Sequence, residues 1–311
     1  MPVGSPGQIV VEAIPIELDP KEPGPKRLGN LSFLGGFELR AADPRFGGLS
    51  GLALSDDGRM LYAVSDRGYW VSIEVRHDAE GRLTALGPME IFTLLTPEGG
   101  PVRGRQRDSE GLARERDGSF IVSFEQSHRL WRYPPPPAAF KAPAQSVAVP
   151  VELAGAPRNG GIEAVAVLSD GAILIIAEEF ENPDGSLKGW ILTKGQFHPI
   201  SYLPSEGFRA TDAVALADGD VLVLERSHGL MGAWAARIKR IGRESLHAGA
   251  RLTGEEMARL DPPLPVDNFE AIAVRQDPGA GTLIYIVSDD NYNPLQRTLL
   301  LQFRLDKTHG N

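Results

Sequence analysis

The residues with the clearest chemical potential are carboxylates that recur at a regular interval along the chain. Glu110, Glu163, Asp212 and Glu270 each open the short pattern acidic–small–aliphatic–Ala, and Ser50 opens a fifth copy. Carboxylate oxygens are the ligands that Ca²⁺ and Mg²⁺ prefer, and the chain has no cysteine that would form a thiolate site. The pattern predicts a site for a divalent cation where the fold brings these four acids together, and an opening in their ring at Ser50.

A second set of polar residues follows each copy after one hairpin. Each pattern leads to a turn containing Asp and Gly, and the apolar run after the turn ends in a polar cluster. Because the chain returns antiparallel after such a turn, the second cluster is expected beside the first. The predicted second ring of metal-binding residues comprises Asp66, Glu125, Glu178, Glu225 and Asp289, with Glu179 and Asp290 next to them.

Arginines adjoin the acidic residues and are expected on the same face. Guanidinium groups bind phosphate or carboxylate through two parallel hydrogen bonds, so these side chains are candidates for holding an anionic substrate. The alternative is that they neutralise the carboxylates structurally. The four arginines are Arg67, Arg107, Arg209 and Arg226.

Histidine enters this face through a motif that occurs twice. Glu-x-Ser-His ends at His128 and again at His228. Either histidine is a candidate general acid or base, with Glu110 and Glu163 as catalytic carboxylates, or an ordinary surface residue. The chain lacks the G-x-S-x-G elbow, the P-loop and the dinucleotide fingerprint, which argues against the enzyme classes that use them.

The elements that position these residues predict an all-β fold. The copies begin about 50–60 residues apart, and each contains three or four short apolar runs, as in a β-propeller with four-stranded antiparallel blades. The Asp-Gly turns are predicted to be type I′. The fifth copy ends after its third strand, so Leu31–Leu39 is expected to supply the fourth and close the ring. Five blades are predicted, or six if Gln8–Leu18 begins a degenerate blade.

The domain organisation is predicted to be simple. Residues 1–27 form an N-terminal extension or strand, and residues 28–311 form one propeller domain. Within it, residues 242–265 are a candidate insertion in which Leu252–Leu260 is predicted to be helical, with Thr253 as N-cap.

Composition limits the possible partners. The net charge of −9 gives no indication of nucleic-acid binding, and no apolar stretch is long enough for a membrane span. The N-terminus lacks the features of a signal peptide, which leaves a cytoplasmic protein and a processed exported form as alternatives. A monomer is expected.

Several motifs in order along the chain resemble the phytase-like family described as having the esterase-like activity of phytase. The resemblance extends from about Leu28 to Leu305. It rests on Leu34–Leu39, Phe46–Leu52, Ser65–Gly68, Asp108–Leu112, Gly161–Ala164, Asn268–Ile272 and Ser288–Asn291.

This resemblance implies a bacterial propeller that is periplasmic or extracellular. Similar alkaline propeller phytases hold Ca²⁺ ions in an acidic channel, where the ions bridge to substrate phosphates. Asn268 and Asn291, which lie in the resembling motifs, are further predicted substrate-binding residues.

The sequence therefore predicts a hydrolase that uses Ca²⁺ or Mg²⁺ to cleave a small anionic ester, most plausibly a phosphoester. The alternatives are a propeller that binds Ca²⁺ or a ligand without catalysis, and a lactonase or glycan-active propeller.

Overall fold

Short apolar strands joined by tight turns form five antiparallel sheets around a central axis. The computed structural model describes residues 7–19, 21, 26–228 and 234–306. The innermost strand of each sheet contacts the innermost strands of both neighbouring sheets, and the last contacts the first. The protein is thus an all-β propeller with five blades, as the repeats predicted.

The N-terminal segment contributes strands to the outer edges of the ring. These strands are β1 (Gln8–Ile9), β2 (Val11–Pro15), β3 (Arg27–Leu28) and β4 (Leu31–Ala41).

The first two blades follow directly along the chain. Blade 1 consists of β5 (Leu49–Leu54), β6 (Met60–Ser65), β7 (Tyr69–His77) and β8 (Leu83–Thr93), with β1 paired to the outer edge of β8. Blade 2 consists of β9 (Ser109–Arg114), β10 (Phe120–Phe124), β11 (Arg129–Tyr133) and the short β12 (Gln145–Val147).

Blades 3 and 4 are linked by a segment of blade 4 that also contributes a short strand to blade 3. Blade 3 consists of β13 (Ile162–Val167), β14 (Ile173–Glu181), β15 (Leu187–Thr193) and β16 (Gln196–Tyr202). Blade 4 consists of β17 (Arg209–Ala215), β18 (Val221–His228), β19 (Trp234–Ile241) and β21 (Glu255–Leu260). Between β19 and β21 the chain forms β20 (Arg251–Leu252), which adds to β16 of blade 3 in parallel.

Blade 5 closes the ring with strands from both ends of the chain. β22 (Phe269–Asp277), β23 (Gly281–Ser288) and β24 (Thr298–Leu305) pair in order, and β24 then pairs with β4. β2 and β3 pair with β4 in turn. The predicted closing strand is confirmed. The predicted alternative of a sixth blade is wrong, because β1 and β2 extend existing sheets.

The hydrophobic core is divided among the five contacts between blades. Between blades 1 and 2, for example, the buried Trp70 ring lies 5.3 Å from each of the rings of Phe120 and Tyr133. In the described part of the chain, four short 3₁₀ helices lie in the connections, at Gly104–Gln106, Ala138–Phe140, Val151–Gly155 and Arg243–Ser245.

The hairpin turns are confirmed, but their predicted type is wrong. A type I′ turn needs a positive φ at both central residues, whereas here only the glycine has one, for example 68° at Gly58. The Gly58 N–H donates to the Ser55 carbonyl at 2.9 Å. The Asp57 carboxylate accepts the N–H of Arg59 at 3.0 Å. The aspartate therefore caps the turn.

The predicted helix at Leu252–Leu260 is also wrong. The chain there forms β20 and β21, and β21 pairs with β19 along Ala236–Arg240 as the outer strand of blade 4. Local helix propensity is a weak preference, and the unpaired edge of β19 offers a full set of backbone hydrogen bonds that a helix would leave unused.

We expect substitution within the closing strand to destabilise the whole propeller. Phe33 of β4 is buried, and its ring lies 5.5 Å from that of Phe303 on β24. Phe33→Ala should lower the free energy of unfolding by about 3–5 kcal/mol, measured by urea denaturation. Leu295→Ala, at a side chain that is 89% exposed, is the control and should change it by less than about 0.5 kcal/mol. Equal effects of the two variants would contradict this role for β4.

Candidate functional site

A β-bulge at the start of each inner strand turns one residue toward the axis. The register shifts at Ser50, Glu163, Thr211 and Glu270 in four blades, and in blade 2 the shift spans Glu110 and the following glycine. Each of these five residues precedes the turn aspartate of its hairpin by seven positions. The first ring therefore has three carboxylates and two hydroxyls.

Asp212 does not belong to this ring, contrary to the prediction. It lies one residue beyond Thr211, and its side chain is 1% exposed. Its two carboxylate oxygens accept the N–H groups of Ala213 and Ile272, each at 2.8 Å. Burial raises the pKa of Asp212 well above its usual range. Asp212 thus connects the inner strands of blades 4 and 5.

The two hydroxyl residues of the ring also connect neighbouring blades. The Ser50 hydroxyl donates to the Ser109 carbonyl of blade 2. The Thr211 hydroxyl lies 3.4 Å from the Phe269 carbonyl of blade 5. Ser50 is 4% exposed, so the opening predicted at this position is absent.

Three carboxylates from blade 2 converge beside the axis. One oxygen from each of Asp108, Glu110 and Glu125 lies within 4.8 Å of the others, and we refer to these three residues as the carboxylate cluster. Burial raises the pKa of Glu110 well above its usual range, that of Glu125 to about 7, and that of Asp108 upward. The neighbouring acids raise the pKa of Glu110 further. Negative charge in this cluster is therefore unfavourable without a counter-ion.

Donors from the surrounding loops fix two members of the cluster. The Glu125 carboxylate accepts the N–H groups of Gly160 and Gly161 at 2.5 and 2.7 Å. The Gln126 side-chain amide donates to the Asp108 carboxylate at 2.6 Å. The cluster is thus held by blade 2 and by the loop that enters blade 3.

Arg226 neutralises the opposite part of the ring. Its guanidinium lies 2.8 Å from the Glu178 carboxylate and 2.7 Å from that of Glu270. It also donates to the Asn268 side chain, which in turn donates to Glu270 at 2.7 Å. Burial raises the pKa of the nearby Glu163 well above its usual range, and Glu110 contributes to this rise.

Asp66 and Asp289 bring blades 1 and 5 to the same mouth. The buried Oδ1 atom of Asp66 has no hydrogen-bond partner among the described residues. Burial raises the pKa of Asp66 to about 7, with a contribution from Asp108. A Cβ at Gly48 would lie 2.2 Å from this oxygen, so only glycine fits there. Burial likewise raises the pKa of Asp289 well above its usual range.

Other predicted acids lie outside this group. Glu225 is fully buried and faces blade 3, where its carboxylate accepts the Tyr202 hydroxyl at 2.6 Å and the Ser205 N–H at 3.1 Å. Asp290 accepts the N–H groups of Gly48 and Tyr292, and Glu179 is exposed. These contacts are structural.

The predicted arginines separate into two pairs. Arg226 and Arg209 are engaged with carboxylates, the latter with Glu181 at 3.2 Å. Arg67 and Arg107 are exposed, and the Arg67 guanidinium lies 3.2 Å from the centre of the Tyr292 ring.

The two histidines also differ. The His128 ring packs against Gly161, whose N–H binds Glu125, and its Nε2 atom lies 3.0 Å from the Pro157 carbonyl. The exposed His228 ring lies 4.4 Å from that of Trp234, and the described residues show no contact between it and a carboxylate. Among the predicted asparagines, Asn268 is buried beside Arg226 and Asn291 is exposed.

Sequence reasoning missed Asp108, Thr211, Gln126 and Arg129. Arg129 packs on the rings of Phe124 and Trp131, and burial lowers its pKa to about 10. The seven-residue spacing would have identified Thr211. Asp108 stands two residues before Glu110, where an alternating strand would place it on the same face.

The opposite end of the axial channel has a different character. It contains a cavity of 340 Å³ lined mainly by aliphatic side chains such as Leu52, Val167 and Val214. The charged side chains at its rim are paired, Arg114 with Asp56 and Arg275 with Asp277. The acidic mouth is therefore the candidate functional end of the propeller.

An all-β propeller with an acidic axial mouth is the class that the fold and site define. The chain belongs to the phytase-like family, whose model, described as esterase-like activity of phytase, matches residues 44–292. No curated protein matches the chain in sequence.

Solved structures resemble the chain at low identity. A putative gluconolactonase is 12% identical, with 96% of this chain and 95% of that chain covered and a TM-score of 0.47. The PQQ-bound aldose sugar dehydrogenase from Streptomyces coelicolor is 15% identical, with 90% and 99% covered and a TM-score of 0.44. No helix in the described part of the chain has the length and apolar character needed to cross a membrane.

Replacing Asp212 should affect stability rather than cation binding. Asp212→Ala leaves the buried N–H groups of Ala213 and Ile272 without their acceptor, which should cost about 1–3 kcal/mol. Chemical denaturation with chelator measures this loss, and calorimetric titration with Ca²⁺ measures affinity. Unchanged stability together with lost Ca²⁺ affinity would contradict the structural role.

The raised pKa of Asp66 predicts a pH-dependent effect of its removal. An aspartate in the unfolded chain has a pKa of about 3.9. At pH values between this pKa and the folded-state pKa of about 7, the folded protein therefore binds a proton at Asp66 that the unfolded chain has released. Asp66 therefore lowers the free energy of unfolding as pH rises through this window.

As the pH rises from about 5 to about 8, the free energy of unfolding of Asp66→Asn should increase relative to that of the native protein by on the order of 1–3 kcal/mol. Chemical denaturation of both proteins in chelator at each pH measures this difference. A difference between the two proteins that stays constant or shrinks over this range would refute the prediction.

Proposed function

We propose that the protein is a hydrolase of an anionic ester, with a phosphoester as the substrate class, that works with a divalent cation such as Ca²⁺ at the carboxylate cluster. The observation that supports this most directly is the convergence of oxygens from Asp108, Glu110 and Glu125 within 4.8 Å. Their donor chemistry fits Ca²⁺ or Mg²⁺ rather than zinc. A cation there would also offset the mutual repulsion of the three carboxylates, of which Glu125 is buried and the other two are partly buried.

When bound, the cation would polarise the ester and acidify a water molecule. In the reaction, the water oxygen forms a bond to phosphorus, the bond from phosphorus to the alcohol oxygen breaks, and that oxygen takes up a proton. In this proposal the reaction takes place at the carboxylate cluster.

Arg67 and Arg107 are the residues best placed to hold the anion. A Cβ at Gly68 would lie 3.3 Å from the Arg107 Cα, so the loops that carry the two arginines touch. Tyr292 supports the planar head of Arg67. Arg226 and Arg209 are already bound to carboxylates and have the neutralising role.

His128 is the better placed of the two histidines for proton transfer. If its Nε2–H donates to the Pro157 carbonyl, its Nδ1 keeps a lone pair, and this buried atom has no partner among the described residues. His228 packs against Trp234 instead.

A substrate panel with matched variants tests this function. Phosphate monoesters, carboxylate esters and lactones would be assayed with Ca²⁺ and with chelator. Chelation should abolish phosphoester cleavage, and Glu110→Gln should lower kcat/KM by about 100-fold or more, since a metal contributes several kcal/mol to the transition state. Glu80→Gln, at an exposed turn, is the control.

Each other result changes the proposal in a definite way. Phosphoester cleavage that is indifferent to chelator and to Glu110→Gln would overturn the metal-assisted mechanism. Ca²⁺ binding without any hydrolysis would indicate a non-catalytic protein, and cleavage of lactones alone would reassign the substrate.

A further inference from the structure

An apolar groove lies beside the carboxylate cluster, on the connection between blades 2 and 3. It has a volume of 560 Å³, within the usual range for small-molecule sites. Its apolar lining consists of Val149, Pro150, Val151, Leu153, Ala154 and Ala156. We call this surface the 149–156 groove.

The wall of the groove is anchored in the core. Leu153, in the 3₁₀ helix Val151–Gly155, is 2% exposed and belongs to the hydrophobic cluster between blades 2 and 3. Val151 in the same helix is 87% exposed. The fold thus presents a large apolar side chain to solvent on a fixed support.

The groove and the carboxylate cluster share a wall. Gln126 lines the groove, and its side chain donates to Asp108 at 2.6 Å. Its N–H donates to the Arg158 carbonyl, and its φ of 51° is unusual for a residue other than glycine. His128 also lines the groove, next to the glycine that binds Glu125.

We propose that the 149–156 groove binds the apolar alcohol half of the substrate, an aryl or branched alkyl group esterified to the anion held at the cluster. This rests on the proposed function and specifies its substrate class. Gln126 lines the groove and binds Asp108 of the cluster, so the apolar half and the anionic half of one small ester would lie on either side of this residue. A polyol carrying a phosphate on every carbon has no apolar group to place there.

Two phosphonates, which are not hydrolysed, separate the two halves of the site. Methylphosphonate reports on the anion-binding part alone, and phenylphosphonate reports on both parts. Calorimetry with the Ca²⁺-loaded protein should give a Kd for phenylphosphonate that is about 10–100-fold lower than for methylphosphonate, as expected for burial of the ring.

Val151→Asp should remove most of this preference and leave the Kd of methylphosphonate unchanged. Val10→Asp is the matched control, because Val10 is 74% exposed at the outer edge of the ring between β1 and β2. Thermal melts would verify that both variants are folded.

The outcomes distinguish the groove from the proposed function. Equal binding of the two phosphonates, or the same effect of both substitutions, would overturn the groove assignment alone. If neither phosphonate binds, the proposed function fails, and the assignment of the groove to its substrate fails with it.

Discussion

The close approach of five inner strands around the axis is the constraint on which the rest of this structure depends. A Cβ at Gly51 would lie 2.7 Å from the Leu112 nitrogen, and one at Gly111 would lie 2.5 Å from the Glu163 carbonyl. Small residues are therefore required at the second position of the repeated pattern. In blade 4, where Thr211 is the first residue, Asp212 occupies this second position. Its larger side chain is accommodated because its two carboxylate oxygens accept the backbone N–H groups of Ala213 and Ile272.

This convergence also crowds the first residues of the pattern at one end of the channel. Where that residue is Ser or Thr, its hydroxyl donates a hydrogen bond to a backbone carbonyl of the next blade, so this polar group has a partner within the protein. Where it is Glu, burial raises its pKa and the charge needs a partner. The register shifts at the start of the inner strands thus coincide with a concentration of unfavourable negative charge at one mouth.

The neutralisation of this charge is uneven, which makes the two sides of the mouth electrostatically different. Arg226 binds Glu178 and Glu270 on one side. Asp108 is bound by the neutral Gln126 on the other, where the exposed Arg67 and Arg107 also lie. The 149–156 groove lies on this less neutralised side, so carboxylates, exposed arginines and apolar surface adjoin one another.

The amino-acid sequence alone predicts the propeller of antiparallel blades and its closing strand, and it leaves five and six blades as alternatives. These follow from local periodicity and from turn residues, which act within a single hairpin. It also located the acidic mouth, because a hairpin returns its chain to its own starting point. Glu110, Glu163 and Glu270 were found for this reason.

Which polar residues face one another depends on contacts between strands that are far apart in the sequence. In blade 4 the register shift falls at Thr211, in agreement with its spacing of seven residues from the turn aspartate. Asp212 instead accepts N–H groups from the inner strands of two blades, which the sequence does not show. Pairing with the open edge of β19 overrode the local helical preference of Leu252–Leu260. Asp108, Gln126 and the 149–156 groove meet through contacts between separate segments, and no pattern within one segment encodes such contacts.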